Sequence, residues 1–134
     1  MSTITIPRPI VNQLLHLAQA SPEEEVCGLI SRDAQGFKTC YPVTNVARDT
    51  KRFFELDPKS QIDAIRTMRD SGEELAAIYH SHPDAPPLPS LTDIQQHEYP
   101  GVLYLIISLN TKGVLEMRGF QIHNREIREV AIGL

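Results

Sequence analysis

The most restrictive feature of this chain is a junction. An unbroken apolar run over residues 75–79, Leu-Ala-Ala-Ile-Tyr, passes directly into His80-Ser81-His82-Pro83. A short continuous apolar run bounded by polar sequence reads as a strand buried on both faces, and such strands lie in the middle of a sheet. In extended backbone, residues i and i+2 project to the same side. His80 and His82 therefore leave the strand end side by side, with Ser81 turned away. Pro83, Pro86, Pro87 and Pro89 stiffen the connection to Ser90-Leu91-Thr92-Asp93, which is spaced like the start of a helix.

Paired imidazoles suit Zn²⁺, and a carboxylate from the first turn of the next helix, Asp93, adds an oxygen ligand. Two histidines and one carboxylate leave a fourth tetrahedral position open, which is the pattern of a catalytic rather than a structural ion. Ser90 and Asp93 also form a capping-box variant, with Ser90 as N-cap. The two uses are compatible, because an N-cap fixes backbone while its hydroxyl still faces an ion. A hydrolytic ion needs a general base outside its ligand set. Glu23, Glu24 and Glu25 precede Val26-Cys27-Gly28-Leu29-Ile30. Glu25 stands nearest the apolar run, where burial would raise a carboxyl pKa; the alternative is that all three face solvent.

The remaining chain supplies a scaffold. Residues 3–6 alternate as a first strand, and Ile10, Leu14 and Leu17 with Val11, Leu15 and Ala18 form the apolar side of a helix beginning at Pro7 or Pro9. His16 falls on the opposite, solvated side. Ala34-Gln35-Gly36 joins two strands into a hairpin, residues 44–52 form a polar loop, and residues 53–56 read as a short strand. Asp57-Pro58 starts a second helix, whose face is marked by Ile62, Ile65 and Met68 and whose stop is Gly72. Further elements are a helix over 90–98, a central strand over 102–109, a turn over 110–113, and strands over 114–122 and 127–132. Strands and helices alternate in the middle while hairpins lie at both ends, so the expectation is a mixed β-sheet flanked by helices, α/β (α+β) in class. His97 shares the helix face of Asp93 but is expected at the surface, and His123 sits in a turn.

Composition closes off other classes. At 134 residues the chain is read as one domain, 1–134, able to bury a core without staples. A net charge of −4 without a Lys/Arg cluster argues against nucleic acid. No apolar run spans a bilayer, and MSTITIPRP does not have the pattern of an export signal. Cys27 and Cys40 do not make a disulfide framework and read as small buried hydrophobes. The expected location is the cytoplasm.

The spacing His80-Ser81-His82-Pro83, six residues, Ser90-Leu91-Thr92-Asp93 resembles the H-[ST]-H-P-x6-S-x-x-D signature of the JAMM (MPN-plus, Mov34/PAD-1) metalloproteases. Glu25-Val26-Cys27-Gly28-Leu29 is similar to the upstream E-x-C-G-[LI] segment of that family, and Asn45, Phe53-Phe54 and Asp57-Pro58 resemble its intervening region. The likeness implies a fold resembling cytidine deaminases, whose own H-x-E and P-C-x-x-C motifs are missing here. It implies that His80, His82 and Asp93 hold Zn²⁺, that Glu25 is the acid/base, and that Ser90 hydrogen-bonds the oxyanion. It further implies cleavage after the C-terminal Gly-Gly of a ubiquitin-like protein. The short chain looks like the compact bacterial type that acts on sulfur carriers.

Three functions fit these features: a zinc peptidase trimming a sulfur carrier, a zinc-stabilised module that only docks a partner, and a cell-wall amidase or peptidase. The missing export signal and wall-binding module count against the third. An exposed sheet edge near the site is suited to pairing with an extended Gly-Gly tail.

Overall fold

Period-two alternation sorts the strand side chains onto two faces, and among the described residues one long helix packs on each face. The computed structural model describes residues 3–91, 93, 101–109 and 116–133. The elements are β1 (Thr3–Thr5), α1 (Arg8–Ala20), β2 (Cys27–Asp33), β3 (Gly36–Val43), α2 (Pro58–Asp70), β4 (Glu74–His82), β5 (Leu103–Ser108), β6 (Glu116–His123) and β7 (Glu126–Gly133). The strands form one seven-stranded sheet in the order β1-β7-β6-β5-β4-β2-β3. β4 pairs parallel with β5, and β1 parallel with β7. The other neighbours are antiparallel. This is the mixed, helix-flanked α+β sheet expected from the sequence.

On the α1 face, Ile10, Val11, Leu14 and Ala18 pack with Ile30, Ala77, Tyr79, Leu105 and Ile107. On the α2 face, Ala64 and Met68 pack with Cys27, Leu29, Ile78, Tyr104 and Ile106. His80 and His82 continue the parity of Ile78 and so emerge on the α2 face; Ser81 continues that of Ala77 and Tyr79. β4 lies between β2 and β5, and it is buried from Ala76 to its end at His82. It thereby carries two polar rings into the interior.

The expected apolar side of α1 is borne out, and His16 is exposed. In α2 the Asp57 cap is present, its Oδ2 accepting from the Ser60 amide at 3.3 Å. The expected face of α2 needs correction. Ile62 is 56% exposed, and the buried line is Ala64 and Met68, four residues apart, with Ile65 beside them. Residues 53–56 do not form a strand. Their strand-like pairing with the preceding loop is limited to the isolated antiparallel bridge Asn45↔Leu56, beside which the Val46 amide donates to the Glu55 carbonyl at 2.9 Å. The reason is local: the Asn45 side-chain amide donates to the Phe53 carbonyl and accepts from the Glu55 amide, occupying groups that a backbone ladder would use.

The helix expected over 90–98 falls largely outside the described residues, as do His97 and the expected turn at 110–113; Leu91 and Asp93 are helical. Asn124 and Arg125, both with positive φ (50° and 66°), make the tight turn between β6 and β7.

Gly28 is the tightest point beneath the site. It pairs with Tyr79 across β2 and β4, and an added Cβ would fall 2.5 Å from both the Tyr41 carbonyl oxygen and the Tyr79 ring. Gly28→Ala is expected to cost about 1–3 kcal/mol by overpacking. It should lower the urea midpoint of unfolding, and an unchanged midpoint would contradict this packing.

Candidate metal centre

The C-terminal end of β4 places three donor atoms on one point. His80 Nε2 lies 3.0 Å from His82 Nε2 and 3.2 Å from Asp93 Oδ2, and the His82–Asp93 distance is 3.6 Å. All three residues are buried. His82 Nδ1 lies 2.8 Å from the Pro86 carbonyl oxygen, to which it donates. That bond fixes the neutral ring with its lone pair on Nε2, aimed at the cluster. Two imidazole nitrogens and a carboxylate oxygen facing one another are short of protons to share. Two bonds of about 2.0–2.1 Å to one tetrahedral ion would set the donors roughly 3.3 Å apart, close to the spacing found. The residues present fit a divalent cation.

Asp93 reaches this point because of its cap. The Ser90 amide donates to Asp93 Oδ2 at 2.9 Å, and the Asp93 amide donates to Ser90 Oγ at 3.1 Å. This is the reciprocal capping box read from the sequence, and it aims the same Oδ2 at both imidazoles.

Glu25 enters from the other side. Its carboxylate and the two histidine nitrogens lie within 4.8 Å of one another. Glu25 is buried, and its Oε1 has no hydrogen-bond partner among the described residues. Its backbone is held at both ends: the amide donates to the Thr50 carbonyl at 2.7 Å, and the carbonyl accepts from Asn45 Nδ2 at 2.9 Å. Ser81 secures the next residue, because its amide donates to the Val26 carbonyl (3.0 Å) while its Oγ accepts from the Val26 amide (2.9 Å). Of the three glutamates, the structure brings Glu25 to the cluster and leaves Glu23 and Glu24 exposed.

The two carboxylates are driven apart electrostatically. Burial opposes ionisation of Asp93, but the facing His80 and His82 imidazoles and the hydrogen bond from the Ser90 amide outweigh it and hold the carboxyl well below the usual range. Glu25 lacks such compensation. Burial pushes it up to about 8, opposed by His82 and reinforced by Asp93 and Asp49. His80 is lowered by burial. In His82 burial acts in the same direction, but Asp93 and the Pro86 carbonyl overcome it and raise the pKa. Burial also pushes the Cys27 thiol up to about 12, so Cys27 stands beside the site as an inert apolar group, as its sequence context implied. A cleft of about 380 Å³ opens here, lined among others by Glu25, His82, Ser90, Lys51 and Arg52.

Several residues that support the site carry little sequence signal of that role. The Phe54 ring stacks on His80, with centroids 4.2 Å apart and planes at 20°. Asn45 is legible only through the family likeness. Ser108 donates to the Ala85 carbonyl at 2.7 Å, anchoring the proline loop. A lone serine ending the apolar run of β5 is the one available signal for that anchor.

A profile of prokaryotic homologs of the JAB domain matches residues 7–122. A desampylase from Haloferax volcanii is 32% identical over 119 residues, covering 87% of this chain and 83% of the relative. A CysO-cysteine peptidase from Mycobacterium tuberculosis is 26% identical over 133 residues, covering 98% and 90%. Among solved structures, that of a protein from Desulfitobacterium hafniense superposes with a TM-score of 0.86 at 30% identity, covering 98% of this chain and 92% of that one. A JAB1/MPN domain protein from Archaeoglobus fulgidus shares the fold, with a TM-score of 0.57 at 17% identity and coverage of 99% and 100%.

The Glu25 shift has a sign that can be tested on metal-free protein. Between about 4.5 and 8, the unfolded chain gives up a proton that the folded chain keeps. The contribution of Glu25 to stability therefore falls as pH rises through that window, by up to about 1.4 kcal/mol per pH unit, and levels off above it. Urea unfolding in chelator should show this slope in the wild type relative to Glu25→Gln. Parallel curves for the two proteins would contradict the burial of this carboxyl.

Proposed function

The chain belongs to the family of prokaryotic homologs of the JAB domain, and from that premise we propose that it is a zinc-dependent peptidase acting after the C-terminal Gly-Gly of a ubiquitin-like sulfur carrier. One observation carries this reading. His80 Nε2, His82 Nε2 and Asp93 Oδ2 converge, with Glu25 as a second, weakly acidic carboxyl beside them. The named activities of the desampylase and the CysO-cysteine peptidase support a carrier of the ubiquitin-like kind. The proposed setting is a single domain, residues 1–134, working in the cytoplasm.

In this mechanism His80, His82 and Asp93 would hold the ion. Bound zinc supplies Lewis acidity toward water and toward the scissile carbonyl. Glu25, whose carboxylate lies beside both imidazole nitrogens, takes a proton from the attacking water and passes it to the leaving amine. The water's hydroxyl goes to the acyl carbon as the C–N bond breaks, and the amine departs with the proton. Ser90 Oγ already accepts the Asp93 amide, which leaves its O–H free to donate to the developing oxyanion. The Pro86 carbonyl keeps His82 in the tautomer that presents Nε2.

Incubation of zinc-loaded protein with carriers extended beyond Gly-Gly should remove the extension, read by intact mass. Glu25→Gln should retain one zinc per chain and lose roughly 10²–10⁴-fold in kcat. Ser90→Ala should lose roughly 10²-fold in kcat and about 1 kcal/mol of stability with the cap. A protein that binds zinc and carrier yet never cuts any extended form is a docking module, and that result overturns the peptidase reading.

A further inference from the structure

The cleft carries a pair of cations that the proposed chemistry does not use. Lys51 and Arg52 line it together with Glu25, His82 and Ser90, while Asp84 lies on the wall formed with Pro83 and Ala85. A chain of net charge −4 has placed two adjacent positive side chains beside its candidate metal centre. Their own turn does not neutralise them. Arg52 makes a long 3.9 Å contact with Asp49 and is 81% exposed, and Lys51 has no ion-pair partner among the described residues.

The turn that carries them is fixed to the site. Asp49 Oδ1 accepts from the Lys51 amide at 3.2 Å, and the Asp49 carbonyl accepts from the Arg52 and Phe53 amides at 3.4 and 3.0 Å. Thr50, immediately before Lys51, provides the carbonyl that holds the Glu25 amide at 2.7 Å. The same tight turn therefore positions the candidate base and, one residue later, displays the cations. At about 380 Å³ the cleft is at the small end of ligand pockets, a size for one or two residues rather than a folded partner.

We infer that Lys51 and Arg52 form a subsite for the free α-carboxylate of the residue released on cleavage, so that the preferred substrate is a tail ending one or two residues past the scissile bond. The inference rests on the peptidase reading. Asp84 also lines the cleft and repels a terminal carboxylate, so Lys51 and Arg52 are the lining side chains whose charge attracts one. An isopeptide bond to a lysine side chain of a folded protein presents no such carboxylate at that distance.

The test uses zinc-loaded enzyme and carriers extended by a single C-terminal alanine, made as the free acid or as the carboxamide. Wild-type enzyme is expected to favour the acid by roughly fivefold or more in kcat/KM, mostly through KM, with the preference shrinking as salt is raised. Lys51→Ala/Arg52→Ala should erase the preference, and Lys51→Glu/Arg52→Glu should turn it toward the amide. Equal cleavage of acid and amide by the wild type overturns the subsite and leaves the peptidase reading standing, as does a preference that survives both double variants. Cleavage of neither substrate by protein that holds its zinc overturns both.

Discussion

The site depends on how the end of β4 is tied to the segment before β2. Strand pairing brings Cys27 opposite His80, yet Glu25 lies two residues before the strand proper and has no ladder of its own. Ser81 closes that gap. With its backbone amide and its hydroxyl it takes both polar groups of Val26, in a location where an unpaired amide would cost about 1–3 kcal/mol. The middle residue of the His-Ser-His triplet thus positions the carboxylate that faces the two outer ones. One extended tripeptide serves both faces of the sheet: imidazoles toward α2, a hydroxyl toward the α1 side.

Two buried carboxylates in one small site would ordinarily oppose each other, and here their surroundings separate them. Asp93 accepts a hydrogen bond from the Ser90 amide and faces two imidazoles, and these surroundings hold it ionised. Glu25 has an oxygen without a donor among the described residues and is pushed toward neutrality by burial. The unpartnered Glu25 oxygen and the satisfied Asp93 oxygen mark that division in the geometry itself. Titratable groups whose environments drive their pKa values apart are suited to different tasks, one as a fixed anion and the other as a carrier of protons. The same burial that prepares Glu25 silences Cys27, so a thiolate does not compete for the chemistry.

The range of each interaction decides how much of the fold and the site is legible in the sequence. Period two is enough to put His80 and His82 on one face, and the serine–aspartate spacing is enough for the capping box, because both are local rules. The same parity reaches Glu25, which is in step with Cys27 and Leu29 on the face that the histidines share. Ile62 misleads because the helical stripe can be drawn through Ile62, Ile65 and Met68 or through Ala64, Ile65 and Met68, and only the position of the sheet decides between them. The segment 53–56 misleads because its aromatic sequence suits a strand, while Asn45, eight and ten residues away, claims its hydrogen bonds. Phe54 and Ser108 are illegible as supports for the same reason: a stacking partner and a loop anchor are set by tertiary proximity.

Much of the preorganisation is supplied by backbone rather than by side chains. The carbonyls of Thr50, Pro86 and Ala85 hold the Glu25 amide, the His82 ring and, through Ser108, the proline loop. Carbonyl acceptors are common to every residue, so this part of the design leaves little trace in residue identity. The stiffness that keeps those carbonyls in place does leave a trace. Pro83, Pro86, Pro87 and Pro89 restrict the loop after β4, and Asn45 spends its whole side-chain amide on four backbone groups: the Glu25 and Phe53 carbonyls and the Ala47 and Glu55 amides. Prolines on one side and an asparagine on the other therefore act alike. Each removes conformational freedom from a loop before any ion or substrate arrives, which lowers the entropy lost when the ligands and the base are brought into register.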